Sequence, residues 1–88
     1  MQKIIYVINK IEYERLLSVC KTRREMQGIS KSRMAEMCNV TRQSIYNFEN
    51  NVGGENLDML TKYGLALDSD EIFYTMEHNL YERKEINL

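Results

Sequence analysis

The chain has 88 residues, 43% of them hydrophobic and 28% charged, with no proline, four glycines and a formal net charge of −1. That length makes one domain, which buries about 60 to 65% of its unfolded surface and keeps a stability near ~5 kcal/mol, so a deep substrate cavity and a large-pocket enzyme are excluded. The longest apolar run, Ile4 to Ile8, is five residues, against roughly 18 for a bilayer span or 7 to 15 for a signal-peptide core. A cytoplasmic chain with no membrane partner is the expectation. Cys20 and Cys38 are too few for a disulfide framework and lack zinc spacing, and the single histidine is His78. Buried free thiols are expected, with no metal, no cofactor, no small-molecule substrate and no catalytic residue.

An N-terminal apolar arm, residues 1–8, comes first. Its β-branched Ile4 to Ile8 segment prefers strand; it could pair with another chain or with Glu85 to Leu88, although an apolar flap over the first or last helix is the simpler expectation. Asn9 with Glu12 forms a capping box, and Tyr13, Leu16, Leu17, Cys20 and Arg24 recur at helical steps until Gly28, which predicts a helix over about 10–26. Ser30 caps a second helix, about 31–37, with Met34, Ala35 and Met37 facing inward before Asn39 breaks it. Thr41 caps a third, about 42–50, with Ile45 and Phe48 inward. Asn56 caps a fourth, about 57–66, with Leu57, Leu60, Gly64 and Leu67 along one side. Asp70 caps a fifth pattern carrying Ile72, Phe73, Met76 and Leu80, which opens a C-terminal helix and acidic tail over 70–88. Met26, Met34, Met37 and Met59 read as core filling.

The charge is unevenly divided. Residues 20–50 hold six basic groups against three acidic ones, a balance of +3, whereas 67–88 hold two against six, a balance of −4. Screening over about 8 Å lets a polyanion feel the basic centre rather than the molecular total. Within that centre, ISKSRMAEMCNVTRQSIYNFE reads as two short helices joined by the turn Cys38-Asn39-Val40. Ala35 permits the close crossing, and Val40 and Ile45 pack beneath the corner, a helix-turn-helix arrangement.

From Leu16 to Leu67 the sequence resembles the phage-repressor-like helix-turn-helix family, the Cro and Xre group of transcription regulators. The resemblance rests on RREMQGISKSRMAEMCNVTRQSIYNFE followed by NLDMLTKYGLALD. It implies an all-α, five-helix, lambda-repressor-like domain over residues 9–69, binding of double-stranded operator DNA as a homodimer, and an ion pair between Arg24 and Glu49. The loop Asn51-Val52-Gly53-Gly54-Glu55 departs from the family in having no basic residue, which weakens the case for a phosphate grip there, and Gly64 stands where Ala is usual, loosening the fourth helix by about 0.5 to 1 kcal/mol.

By the same resemblance Arg42, Gln43 and Asn47 occupy base-reading positions, with Tyr46 on the same outer face. Arg can pair with guanine O6 and N7, and Gln or Asn with adenine N6 and N7. Lys31 and Arg33 place positive charge in the first turn of the second helix, against the helix dipole, which an anion docking at that end would explain; the family contacts phosphate at the Lys31 position. Thr41, Ser44 and Asn50 have the chemistry of phosphate ligands and equally that of caps or surface residues. Ile4, Ile5, Tyr6, Phe73, Tyr74, Leu80 and Tyr81 offer apolar area beyond one small core, and so a dimer surface. The expectation is a sequence-specific regulator, a repressor of phage or mobile-element type. The alternative is a protein-binding helix-turn-helix module, antirepressor- or antitoxin-like, that uses the acidic tail or the helix-turn-helix face.

Overall fold

A computed structural model of the chain describes residues 1–87. The order is β1 (Gln2–Ile8), α1 (Lys10–Met26), α2 (Lys31–Cys38), α3 (Arg42–Glu49), α4 (Leu57–Leu67), α5 (Asp70–His78) and β2 (Tyr81–Asn87). Each helix starts where a short polar side chain takes up an otherwise unpaired amide. Asn9 accepts from the Glu12 N–H, Ser30 from Arg33, Thr41 from Ser44 and Asn56 from Met59. Such caps are worth about 1 kcal/mol each. The fifth cap is Ser69, not Asp70: the buried Ser69 hydroxyl accepts from the Ile72 N–H, and Asp70 is already helical. Gly28, Asn39 and Asp68 supply the left-handed backbone that stops α1, α2 and α4.

The five helices enclose one core, built on Tyr13, Leu16, Leu17 and Cys20 of α1, Met34 and Ala35 of α2, Ile45 and Phe48 of α3, Leu60, Tyr63 and Leu67 of α4, and Ile72 of α5, with Leu80 beyond it. Cys20 and Cys38 are buried free thiols, and burial pushes the Cys20 thiol up to about 12. Helical period alone misplaces two methionines. Met26 is 81% exposed because it lies at the last turn of α1, past the partners of that face, and Met37 is 38% exposed while Cys38 takes the inward position.

The fold is not all-α. β1 and β2 form an antiparallel two-stranded sheet over seven residue pairs, from Gln2 opposite Asn87 to Ile8 opposite Tyr81. The N-terminal segment is therefore a strand and not a flap, and the tail leaves helix at Asn79. The physical reason is the ladder: five successive β-branched or aromatic residues in β1 need backbone partners, and the charged β2 supplies them at little cost because its side chains stay in water. The Asn9 N–H donates to the Leu80 carbonyl at 2.7 Å and ties the ribbon to the domain. Leu80 itself is fully buried, so it belongs to the core and not to an outer surface. Phe73 is half-buried, while Ile4, Tyr6, Tyr74 and Tyr81 are exposed.

Gly64 has a packing role. A Cβ there would meet Ile72 Cγ2 at 3.1 Å and Phe73 Cζ at 3.2 Å, so the missing side chain lets α5 lie close across α4. Gly64→Ala gains about 1 kcal/mol of helix propensity and loses a similar amount to crowding, whereas Gly64→Val adds overpacking of about 1 to 3 kcal/mol. Thermal melts should show the alanine variant within ~1 kcal/mol of wild type and the valine variant clearly lower; equal melting of all three would remove Gly64 from the α4–α5 contact.

Candidate nucleic-acid interface

The turn between α2 and α3 is closed by two backbone bonds, Val40 N–H to Ala35 carbonyl at 2.9 Å and Asn39 N–H to Glu36 carbonyl at 3.1 Å, with Asn39 at φ 55°. This pairing ends a helix sharply and redirects the chain. Ala35 is buried at the corner, Val40 is half-buried and Ile45 lies fully inside. The apolar side of α3 is thereby fixed against the core, and the opposite side is left to solvent.

What fixes α3 is a polar cluster inside the domain. The Arg24 guanidinium donates from Nε to Glu49 Oε2 at 2.8 Å and from Nη2 to Glu49 Oε1 at 3.1 Å, and its Nη1 donates to the Ile29 carbonyl at 2.7 Å. The Tyr63 hydroxyl donates to Glu49 Oε2 at 2.5 Å. The Arg24 and Glu49 side chains are 7% and 1% exposed. α1, α3 and α4 therefore meet at one carboxylate, and Arg24 ties the 27–30 loop to the same cluster. Burial alone would push the Glu49 carboxyl up; the hydrogen bonds from Arg24 and Tyr63, with the Arg24 charge, more than reverse it and hold the group below its ordinary value. The Glu49 hydrogen bond correspondingly pushes Arg24 up. Burial and then the bond to Glu49 push Tyr63 up as well.

Tyr63 went unnoticed in the sequence. It falls three residues after Leu60 on the apolar stripe of α4, where nothing marks its hydroxyl as meeting an acid fourteen residues earlier. The Tyr13 hydroxyl is a second such case: it accepts from the Asn56 N–H at 2.8 Å and holds the loop before α4 to α1.

The outward side of α3 carries Arg42, Gln43, Tyr46 and Asn47. Arg42 and Gln43 are exposed, Tyr46 is 44% exposed and Asn47 is half-buried. Gln43 Nε2 donates to Asn47 Oδ1 at 2.9 Å, so two amide side chains one turn apart are pre-aligned. Among the described residues Arg42 makes neither an ion pair nor a side-chain hydrogen bond. Lys31 Nζ lies 5.3 Å from the Tyr46 ring centroid, a cation–π contact that joins the first turn of α2 to the exposed side of α3.

The remaining polar residues of this region are partly engaged. Arg33 is ion-paired with Glu36 at 3.0 Å on an exposed face. The Thr41 hydroxyl caps α3 and lies 2.8 Å from the Ser44 hydroxyl. Asn50 Nδ2 donates to the Tyr46 carbonyl at 2.9 Å. Both α2 and α3 lack acidic residues in the first turn, so their amino ends keep positive potential. The following loop turns through left-handed Asn51, Gly53 and Gly54, fully exposed. A concavity of about 570 Å³ lies between α1 and α5 against Val19, Met26 and Glu71 and takes no side chain from α2 or α3.

No curated protein matches the chain. The model of the Cro/C1-type helix-turn-helix family matches residues 21–71, more than half of the chain, from within α1 to the start of α5. With the buried corner, the fixed second helix and this match together, the chain belongs to the Cro/C1-type helix-turn-helix family, whose members are DNA-binding transcription regulators.

Proposed function

We propose that α3 enters the major groove of an operator duplex, with Arg42, Gln43 and Asn47 reading base edges and Tyr46 packing beside them. Lys31 and the first-turn amides of α2 hold the phosphate backbone, with Arg33, Thr41, Ser44 and Asn50 as further phosphate ligands; Arg33 must share its charge with Glu36. Phosphate contacts set the register and base contacts set the sequence. Two copies bind half-sites about one turn apart, roughly 34 Å, and act as a repressor of phage or mobile-element type by covering the operator. The observation that carries this reading is the pairing of exposed Arg42, Gln43 and Tyr46, with half-buried Asn47 beside them, with a buried Arg24–Glu49–Tyr63 cluster that anchors α3. A groove reader gains from that anchoring because ordering costs fall before binding.

Three of the six acidic side chains in residues 67–87 are ion-paired, one of them to a base outside the segment. Glu71 is bonded to Arg23, Glu82 to Lys84 and Glu85 to Arg83.

Selection of duplexes from a random pool, followed by a salt series on the selected duplex, tests the reading. With about six phosphate contacts over two half-sites, affinity should fall about 10³-fold between 50 and 200 mM salt, with a sequence preference at both ends. Absence of duplex binding at low salt would instead make the chain a protein-binding helix-turn-helix module.

A further inference from the structure

β1 and β2 pair only with each other, so each has one edge without a ladder partner among the described residues. The two edges differ. β2 carries Glu82, Arg83, Lys84 and Glu85, the charges by which sheet edges resist further pairing. β1 reads QKIIYVI and carries one charge, Lys3, with Ile4 49% and Tyr6 66% exposed. Ile8 packs on the core, Ile5 and Val7 are half-buried without joining the core cluster, and Ile4 and Tyr6 stand exposed on the ribbon. Two-stranded ribbons are marginal alone; three or more strands stabilise them.

We propose that β1 of one copy pairs antiparallel with β1 of a second copy about a two-fold axis at Ile5, giving a four-stranded sheet in the order β2-β1-β1-β2. The occupant is a second copy because the strand is self-complementary in that register. Ile5, at the centre of the seven residues, meets Ile5; Ile4 meets Tyr6; Lys3 meets Val7; Gln2 meets Ile8. The two Lys3 side chains then lie about 14 Å apart along the strands, at roughly 3.4 Å per residue, whereas a parallel pairing would set lysine against lysine. An isologous contact of this kind closes at two copies and leaves only the charged β2 edges outermost. The ribbon also leaves the domain at the amino end of α1, about 22 Å along that helix from Arg24 and the end of α3 it holds. The inference gives a surface to the dimer proposed above; its test reads assembly without DNA, so the two can fail separately.

Sedimentation of the full chain should give twice the 10.5 kDa of one copy. Ile5→Glu sets two carboxylates directly opposite each other and should raise the dissociation constant at least about 100-fold, with the helical circular dichroism unchanged. Ile5→Cys should form an intermolecular disulfide under mild oxidation, since directly opposed Cβ atoms lie about 5 Å apart; Lys3→Cys alone should not, and Lys3→Cys mixed with Val7→Cys should. The cysteine series keeps the proposal testable should Ile5→Glu fail to fold. A wild-type monomer at tens of micromolar, or a dimer that cross-links through Tyr74→Cys and not through Ile5→Cys, would overturn it.

Discussion

Glu49→Gln should destabilise the domain by about 3 to 5 kcal/mol, although it preserves the shape of the side chain. The substitution leaves the Arg24 guanidinium, 7% exposed, with only the exposed Glu25 carboxylate at 3.8 Å as counter-charge, and breaking one half of a buried ion pair costs that much because the other charge stays out of water. For a domain of this size the loss corresponds to roughly 12 °C or more in Tm. The wild-type pair also predicts the pH dependence. The Glu49 carboxyl is held below its ordinary value near 4.5 in the fold, so its contribution is present above the unfolded value and is lost as pH falls through the folded one. Gln resembles the protonated acid, so the stability gap between wild type and Glu49→Gln should be full at pH 7 and should narrow below about pH 4. A gap that stayed constant from pH 7 to pH 3 would contradict the assignment. Replacing Arg24 by Met, Glu49 by Leu and Tyr63 by Phe together should recover most of the loss, because no buried charge then remains unpaired and only the part-buried Ile29 carbonyl loses its donor.

The second large effect concerns recognition. Arg42→Ala should weaken binding to the selected duplex by about 1 to 3 kcal/mol and relax the choice at one base pair, because Arg42 is unengaged within the described chain and free to make a bidentate contact. Lys31→Ala should act differently. It removes the cation–π contact to Tyr46 and, on the proposed interface, a phosphate contact, so it should weaken all duplexes by a similar factor and flatten the salt slope by about one. Binding measured on the selected duplex and on single-base variants separates the two. Equal loss on every sequence for Arg42→Ala would place Arg42 on the backbone instead of a base.

The helices were legible in the sequence because their signals are local. Asn9, Ser30, Thr41 and Asn56 each cap an amide three residues ahead, and Asn39 and Gly28 each stop a helix at the next turn. Asp70 was mistaken for the fifth cap because Ser69 beside it has the same capacity, and burial favours the uncharged hydroxyl. Long-range pairing was legible only as an alternative: the C-terminal segment was one possible partner of the arm, and the ladder begins earlier, at Tyr81. β2 shows no apolar alternation, and its identity as a strand depends on β1, some eighty residues earlier. Leu80 fitted the apolar repeat of α5 and also a surface; only the return of the chain toward Asn9 shows that it is covered. The exposed Met26 and Met37 make the same point, since periodicity states which side of a helix is apolar and not where the neighbouring helix ends. In the interface, the outward side of α3 follows from Ile45 and Phe48 facing in, whereas the Tyr46–Lys31 contact and the Tyr63–Glu49 bond needed three dimensions.

The central claim is that the exposed side of α3 is the surface that meets DNA. Backbone amide NMR of the full chain titrated with its selected duplex tests it most directly. Shifts concentrated at Arg42 to Asn47 and at Lys31, with the ribbon of β1 and β2 unmoved, are the result predicted. Shifts confined to α5 and β2, with α3 silent, would contradict it.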